Sequence, residues 1–215
     1  TRMDWAVELF PWFEYYLKGI GDEPESYVQV QRNDGKWHIE DTWPAEDTEN
    51  IQFAIADWEG GMSGTINSQQ SMTITSQPIT TDMHISGLPT LHIDARTNMC
   101  NGGQLFVTMY DGTSGLRLGH ATMDVRYRDG GYDAKPTSPM TSYRMLMEFN
   151  PMDVIVPKGH TIQLLVTETG EDYLPSPCAP LGMTIFAGYQ VLTLPTIDRP
   201  VEHENWFNVP AWWEA

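Results

Sequence analysis

From Met72 to Thr167 the chain alternates apolar and polar residues in short runs separated by turn residues. The runs read MTITSQPITTDMHISGLPTLHIDA, GQLFVTMYDG, LRLGHATMDVRYRD and FNPMDVIVPKGHTIQLLVTE. A period of two with frequent breaks predicts antiparallel strands, each turning one face to a core. The pattern begins earlier, where YVQVQ at 27–31 and KWHI at 36–39 flank Asn33-Asp34-Gly35, a hairpin signal. IQFAIA at 51–56, YRMLMEFN from Tyr143 and GYQVLTLP from Gly188 add further strands. Three stretches rich in Gly, Ser and Pro read as loops: 57–71, 129–142 and 170–182.

Only residues 3–18 follow a helical period. Trp5, Leu9, Trp12, Phe13, Tyr16 and Leu17 fall at i, i+4, i+7, i+8, i+11 and i+12, on one face. Asp4 and Glu8 lie early and Lys18 late, matching the helix dipole, and Gly19 is a natural stop. Pro11 either kinks this helix or opens its second half. So aromatic a face needs a partner: this domain, another domain or a second copy. In the tail, 196–215, Trp206, Phe207, Trp212 and Trp213 are expected to wrap onto the body. Many strands and one helix imply an all-β fold, an antiparallel jelly-roll (galactose-binding-like) β-sandwich with an amino-terminal helix.

Composition narrows the partners. The 215 residues carry 29 acidic and 12 basic side chains, a formal charge of −17. Nucleic acid and anionic membrane surfaces would be repelled. No apolar run approaches the roughly 20 residues of a membrane-crossing helix. Cys100 and Cys178 lack metal-type spacing and are expected as two free thiols, with a disulfide as the alternative. The start at Thr1 fits an internal or trimmed piece.

Candidate chemistry is thin. The nearest approaches to a nucleophile elbow, Gly61-Met62-Ser63-Gly64-Thr65 and Gly112-Thr113-Ser114-Gly115-Leu116, lack the final glycine. The six histidines form no close metal pair. His92 and Asp94 share a strand face, but two ligands do not make a zinc or calcium site. His160, after Gly159, reads as a turn histidine that holds its neighbours rather than as a catalytic base. No phosphate or dinucleotide loop occurs, so no cofactor, no metal and no catalytic residue is expected. Trp58 and the tail tryptophans could stack on a sugar, but core packing is the expected role.

These pieces, in this order, resemble one family. ITSQPITTDMHISGLPTLHI, GQLFVTMYDG with LRLGHATMDVRYRD, and NPMDVIVPKGHTIQLLVTETGEDYLP are similar to the carboxy-terminal domain of X-Pro dipeptidyl-peptidases and the related cocaine-esterase-like serine hydrolases. WFEYYLKG with WHIEDTWP resembles the connector leaving the hydrolase domain. The resemblance covers roughly residues 5–195. It implies a parent protein with an α/β-hydrolase domain that holds the Ser-Asp-His triad, none of which maps here. It divides the chain into a connector at 1–20, a jelly-roll at 21–195 and a tail at 196–215. It further implies a non-catalytic role, shaping the active-site cleft and holding domains or subunits together. Loop 57–71, then 170–181, would reach the cleft, with Trp58, Met62 and Tyr173 as lining residues. The implied partner is the hydrolase domain, with self-association expected if the helix face stays open. Two other readings stand: an independent carbohydrate-binding module and a stand-alone metal enzyme.

Overall fold

A computed structural model describes residues 5–198 except 62, 99, 171, 172 and 189, with the side chains of 5–8 undescribed. Trp5 on the helix face, Met62 and the tail tryptophans therefore lie outside the described side chains. Helix α1 spans Trp5–Phe13 and runs through Pro11. It widens into a π-helical turn at Glu14–Lys18. Gly19, at φ 67°, ends it, its amide bonding back to the Tyr15 carbonyl.

Fourteen strands follow among the described residues. They are β1 (Val28–Gln31), β2 (Trp37–Glu40), β3 (Glu49–Ala54), β4 (Gly64–Ile66), β5 (Met72–Thr75), β6 (Met83–Gly87) and β7 (Thr90–Thr97). Then come β8 (Gln104–Asp111), β9 (Arg117–Asp124), β10 (Tyr143–Glu148), β11 (Met152–Val156), β12 (Ile162–Thr167), β13 (Met183–Ile185) and β14 (Val191–Thr196). β1 and β2 form a separate hairpin. An eight-stranded sheet runs β11-β6-β14-β7-β13-β4, with β10 also on β7 and β3 also on β14. A four-stranded sheet runs β5-β12-β8-β9, and every ladder is antiparallel.

The core lies between the two large sheets. Leu91, Ile93 and Ala95 of β7, Met145 and Met147 of β10, and Leu192 and Leu194 of β14 meet Leu105, Val107 and Met109 of β8 and Ile162, Leu164 and Val166 of β12. These are the odd or even residues of their strands, so the alternation in sequence is the packing itself. The expected antiparallel β-sandwich of jelly-roll type is the observed fold. β4 and β13 were not legible as strands: each is three residues long and they pair with each other.

The cysteines correct a sequence expectation. Cys100 and Cys178 form a disulfide, their Cα atoms 5.8 Å apart, rather than two free thiols. It joins the β7–β8 loop to the loop before β13. No described helix is long and apolar enough to cross a membrane.

Candidate functional site

Two outward faces of the sandwich carry the chemistry. The first is the outer side of the eight-stranded sheet at β11 and β6. Ile85 of β6 and Val154 of β11 point into the core, so alternation turns His84, Ser86 and Asp153 outward. The ladder sets Asp153 opposite Ser86. The hairpin covers this face, and β2 presents His38 and Glu40 from alternate positions.

The side chains meet in one chain of contacts. His84 Nε2 lies 2.8 Å from Asp153 Oδ1. His38 Nε2 lies 3.0 Å from Asp153 Oδ2, and Ser86 Oγ donates to that oxygen at 2.8 Å. His38 Nδ1 lies 3.0 Å from Glu40 Oε1. Trp43 Nε1 donates to Ser86 Oγ at 3.2 Å. Burial alone would raise the Asp153 carboxyl, but the bonds from His84, Ser86 and His38 outweigh it and hold it below the usual range. Among the described residues, His38, His84 and Asp153 form the one set of potential metal ligands that converge, all three buried. The sequence pair His92 and Asp94 does not build such a site. Both Asp94 oxygens accept from Arg144, at 2.9 and 3.0 Å.

The second face is the outer side of the four-stranded sheet. Leu105, Val107 and Met109 point inward; Phe106, Thr108 and Tyr110 line the opposite surface, with His120, Leu165 and Tyr173. They border a groove of about 200 Å³. Tyr173 leans on Phe106, ring centroids 5.0 Å apart, and its hydroxyl is 3.4 Å from His120 Nε2. Arg117 Nη2 lies 2.9 Å from His120 Nδ1. Tyr173 thus stands at the groove. Trp58 does not join it: only 8% exposed, it packs edge-on against Phe53 within the core.

Among the described residues, Ser114 carries no triad wiring. Ser114 Oγ donates to Asp111 Oδ2 at 2.7 Å, and His160 Nδ1 meets the same oxygen at 2.7 Å. The carboxylate sits between hydroxyl and imidazole, so no histidine faces the serine, whereas a triad places the histidine in the middle. Burial would raise the Asp111 carboxyl. The hydrogen bonds from Ser114, His160 and the Thr113 and Ser114 amides outweigh it and hold it at about 2. His160 is the turn histidine expected from sequence.

Sequence reasoning did not single out the His38–His84–Asp153 set. Its members lie far apart along the chain, and only strand alternation hinted at their facing. Nor did it single out Glu168, which continues the inward row Ile162, Leu164, Val166 just past β12. Neither Glu168 oxygen has a hydrogen-bond partner, and burial pushes the carboxyl up to about 8.

Comparison with known proteins agrees with this inventory. Residues 18–179 match the family described as the X-Pro dipeptidyl-peptidase C-terminal non-catalytic domain. An aminopeptidase from a marine sediment archaeon, Thaumarchaeota archaeon, superposes with TM-score 0.65 at 14% identity, over 88% of this chain and 43% of that one. A CocE/NonD family hydrolase from Staphylococcus aureus gives TM-score 0.65 at 14% identity, over 90% of this chain and 45% of that one. An alpha-amino acid ester hydrolase gives TM-score 0.58 at 14% identity, over 88% and 44%. The chain thus spans less than half the length of these structures. No curated protein matched by sequence. The family match favours an accessory domain over a carbohydrate-binding module. With its sandwich fold and a match over residues 18–179, the chain belongs to the family of X-Pro dipeptidyl-peptidase C-terminal non-catalytic domains.

Proposed function

We propose that this domain serves a longer serine hydrolase that cleaves peptide or ester bonds. Its amino-terminal helix docks on the α/β-hydrolase domain, and its loops form part of the wall of the active-site cleft. The observation that carries this is the uncovered helix face. Phe10 is 70% and Leu17 72% exposed, and Trp12, Phe13, Tyr16 and Ile20 are exposed beside them. Trp12 stacks only on its helix neighbours Phe13 and Tyr16, among the described ring contacts. An apolar patch of this kind marks an interaction surface. Covering it stabilises the assembly by about 25 cal/mol per Å² of apolar area. The resemblance puts the connector from the hydrolase domain at this helix. Tyr173, at the groove, is the exposed candidate for the cleft wall. Met62 is assigned to the same wall from its loop, and Trp58 anchors that loop from the core.

Two measurements test this. The 215-residue chain is expected to leave X-Pro-p-nitroanilide and ester substrates unhydrolysed. Turnover by the chain alone that a serine-directed phosphonate abolishes would overturn the accessory role. Light scattering should show the isolated chain self-associating, and Trp12→Glu with Leu17→Glu should return it to monomer. A wild-type monomer at high concentration would sink the docking role of the helix.

A further inference from the structure

Three segments far apart in the chain meet at one buried point. β2 supplies His38, β6 His84 and β11 Asp153. The aspartate lies 115 residues from His38 and 69 from His84. Side-chain exposure is 1% for His38, 8% for His84 and 1% for Asp153. One donor atom from each residue lies within 4.8 Å of the other two. Both histidines turn Nε2 to the carboxylate, His84 to Oδ1 at 2.8 Å and His38 to Oδ2 at 3.0 Å. Two imidazole nitrogens and a carboxylate are the ligands of a borderline divalent cation such as zinc. Calcium and magnesium take oxygen ligands, and the pair of rings does not suit them. Ligand atoms about 2.0–2.1 Å from a tetrahedral zinc stand about 3.3 Å apart. To admit one, the rings need to draw back from Asp153 by only about half an ångström or less.

The surrounding groups orient these donors as a metal centre requires. Glu40 Oε1 lies 3.0 Å from His38 Nδ1, so a carboxylate holds the far nitrogen and leaves Nε2 to bind. Ser86 Oγ donates to Asp153 Oδ2 at 2.8 Å, and Trp43 Nε1 donates to Ser86 Oγ at 3.2 Å. A ligating carboxylate is steadied by hydrogen bonds of this kind. We propose that His38, His84 and Asp153 bind a divalent cation of the zinc class, which clips the β1–β2 hairpin to the sandwich. The inference goes beyond the docking role and stands without it. The second Asp153 oxygen or a water completes the four positions. Burial of all three ligands beneath the hairpin makes the centre structural, since a catalytic zinc keeps a position open to substrate. The clip adds to Asn33, which brackets Ile155 with two side-chain bonds of 3.0 and 3.1 Å. Residues 5–27, which include the helix, reach the sandwich through this hairpin. The cation therefore fixes the base from which the helix projects. The ligands are scattered in the unfolded chain, so binding there favours the folded state.

Zinc titration of the untagged, chelator-treated 215-residue chain tests it, followed by calorimetry and elemental analysis. The chain should take up one zinc. Nitrogen-15 spectra should show the Nε2 signals of His38 and His84 moving on addition, with those of His120 and His160 unmoved. With free zinc about 100-fold above its Kd, amides of β1 and β2 should exchange about 100-fold more slowly. His84→Gln should abolish uptake; should that variant not fold, the wild-type spectra decide. Glu40→Gln keeps all three ligands and should bind about 10–100-fold more weakly. No uptake by wild type, uptake that persists in a folded His84→Gln, or unchanged affinity in Glu40→Gln would each overturn the clip. So would zinc that moves His120 or His160 instead, or bound zinc that leaves hairpin exchange unchanged.

Discussion

Asp153 and Glu168 are both buried carboxyl groups of one sandwich, and their chemical states are opposite. Asp153 sits on the outward face of an edge strand, under the hairpin, and three neighbours donate to it. Glu168 lies on the inward row, with 0% exposure and no partner. Desolvation acts on both. Donors hold Asp153 below the usual range, and their lack pushes Glu168 up to about 8. Position in the pleat decides which occurs. The outward face of β6 and the hairpin aim polar side chains at a carboxylate, whereas no donor reaches Glu168 on the inward row.

The largest effect should come from emptying the supported site. Asp153→Ala strands two histidines and a serine that now share one acceptor. Removing one member of a buried charged network costs about 3–5 kcal/mol. Urea unfolding should show that loss, with hairpin amides exchanging first. A variant as stable as wild type would mean the hairpin is held by Asn33 and its backbone bonds alone.

The end of the sandwich that carries Glu168 has a covalent support instead. Thr167 pairs with Phe106 near the start of β8, and the loop just before β8 holds Cys100. Cys100 and Cys178 are 78 residues apart, so their bridge removes much freedom from the unfolded chain. Replacing both by Ser should cost about 3 kcal/mol by calorimetry or urea unfolding. If the bridge also keeps this end dry, the double variant should bring the Glu168 titration back toward ordinary values. An unchanged Glu168 would separate the two features.

The contrast also shows what a sequence can reveal. β7 and β12 were legible because buried and exposed residues alternate without a break along each. β4 and β13 were not, because three residues among Gly and Pro carry no period. The hairpin was legible from Asn33-Asp34-Gly35, where Gly35 adopts φ 81°. Its role as a cover was not, since that depends on His38 meeting Asp153 across 115 positions of chain. The disulfide was missed for a like reason: spacing alone does not show which loops meet. A nucleophile elbow is a local motif, so its two near-misses could be read from the sequence directly. Of the cleft candidates, Tyr173 stands at a groove because its loop folds over the outer face of β8. Trp58 follows a short helical turn that carries it inward, into the core-packing role expected of it rather than the cleft wall.

The last of these effects, about 3 kcal/mol at neutral pH, isolates Glu168. Its folded carboxyl titrates at about 8, against an ordinary value of 4.5 in the unfolded chain. Between those values the folded state keeps a proton that the unfolded state has released. Raising the pH therefore favours unfolding, by up to about 1.4 kcal/mol per unit. The contribution is intact below the unfolded value, declines through neutrality and levels off above the folded value. Glu168→Gln keeps the shape and the unpaired polar end but cannot ionise. It should match wild type in acid and become the more stable protein as pH rises, removing that part of the slope in a urea series. If the slope is unchanged, Glu168 is already ionised in the fold, and the inward face must be wetter than its neighbours Leu164 and Val166 suggest.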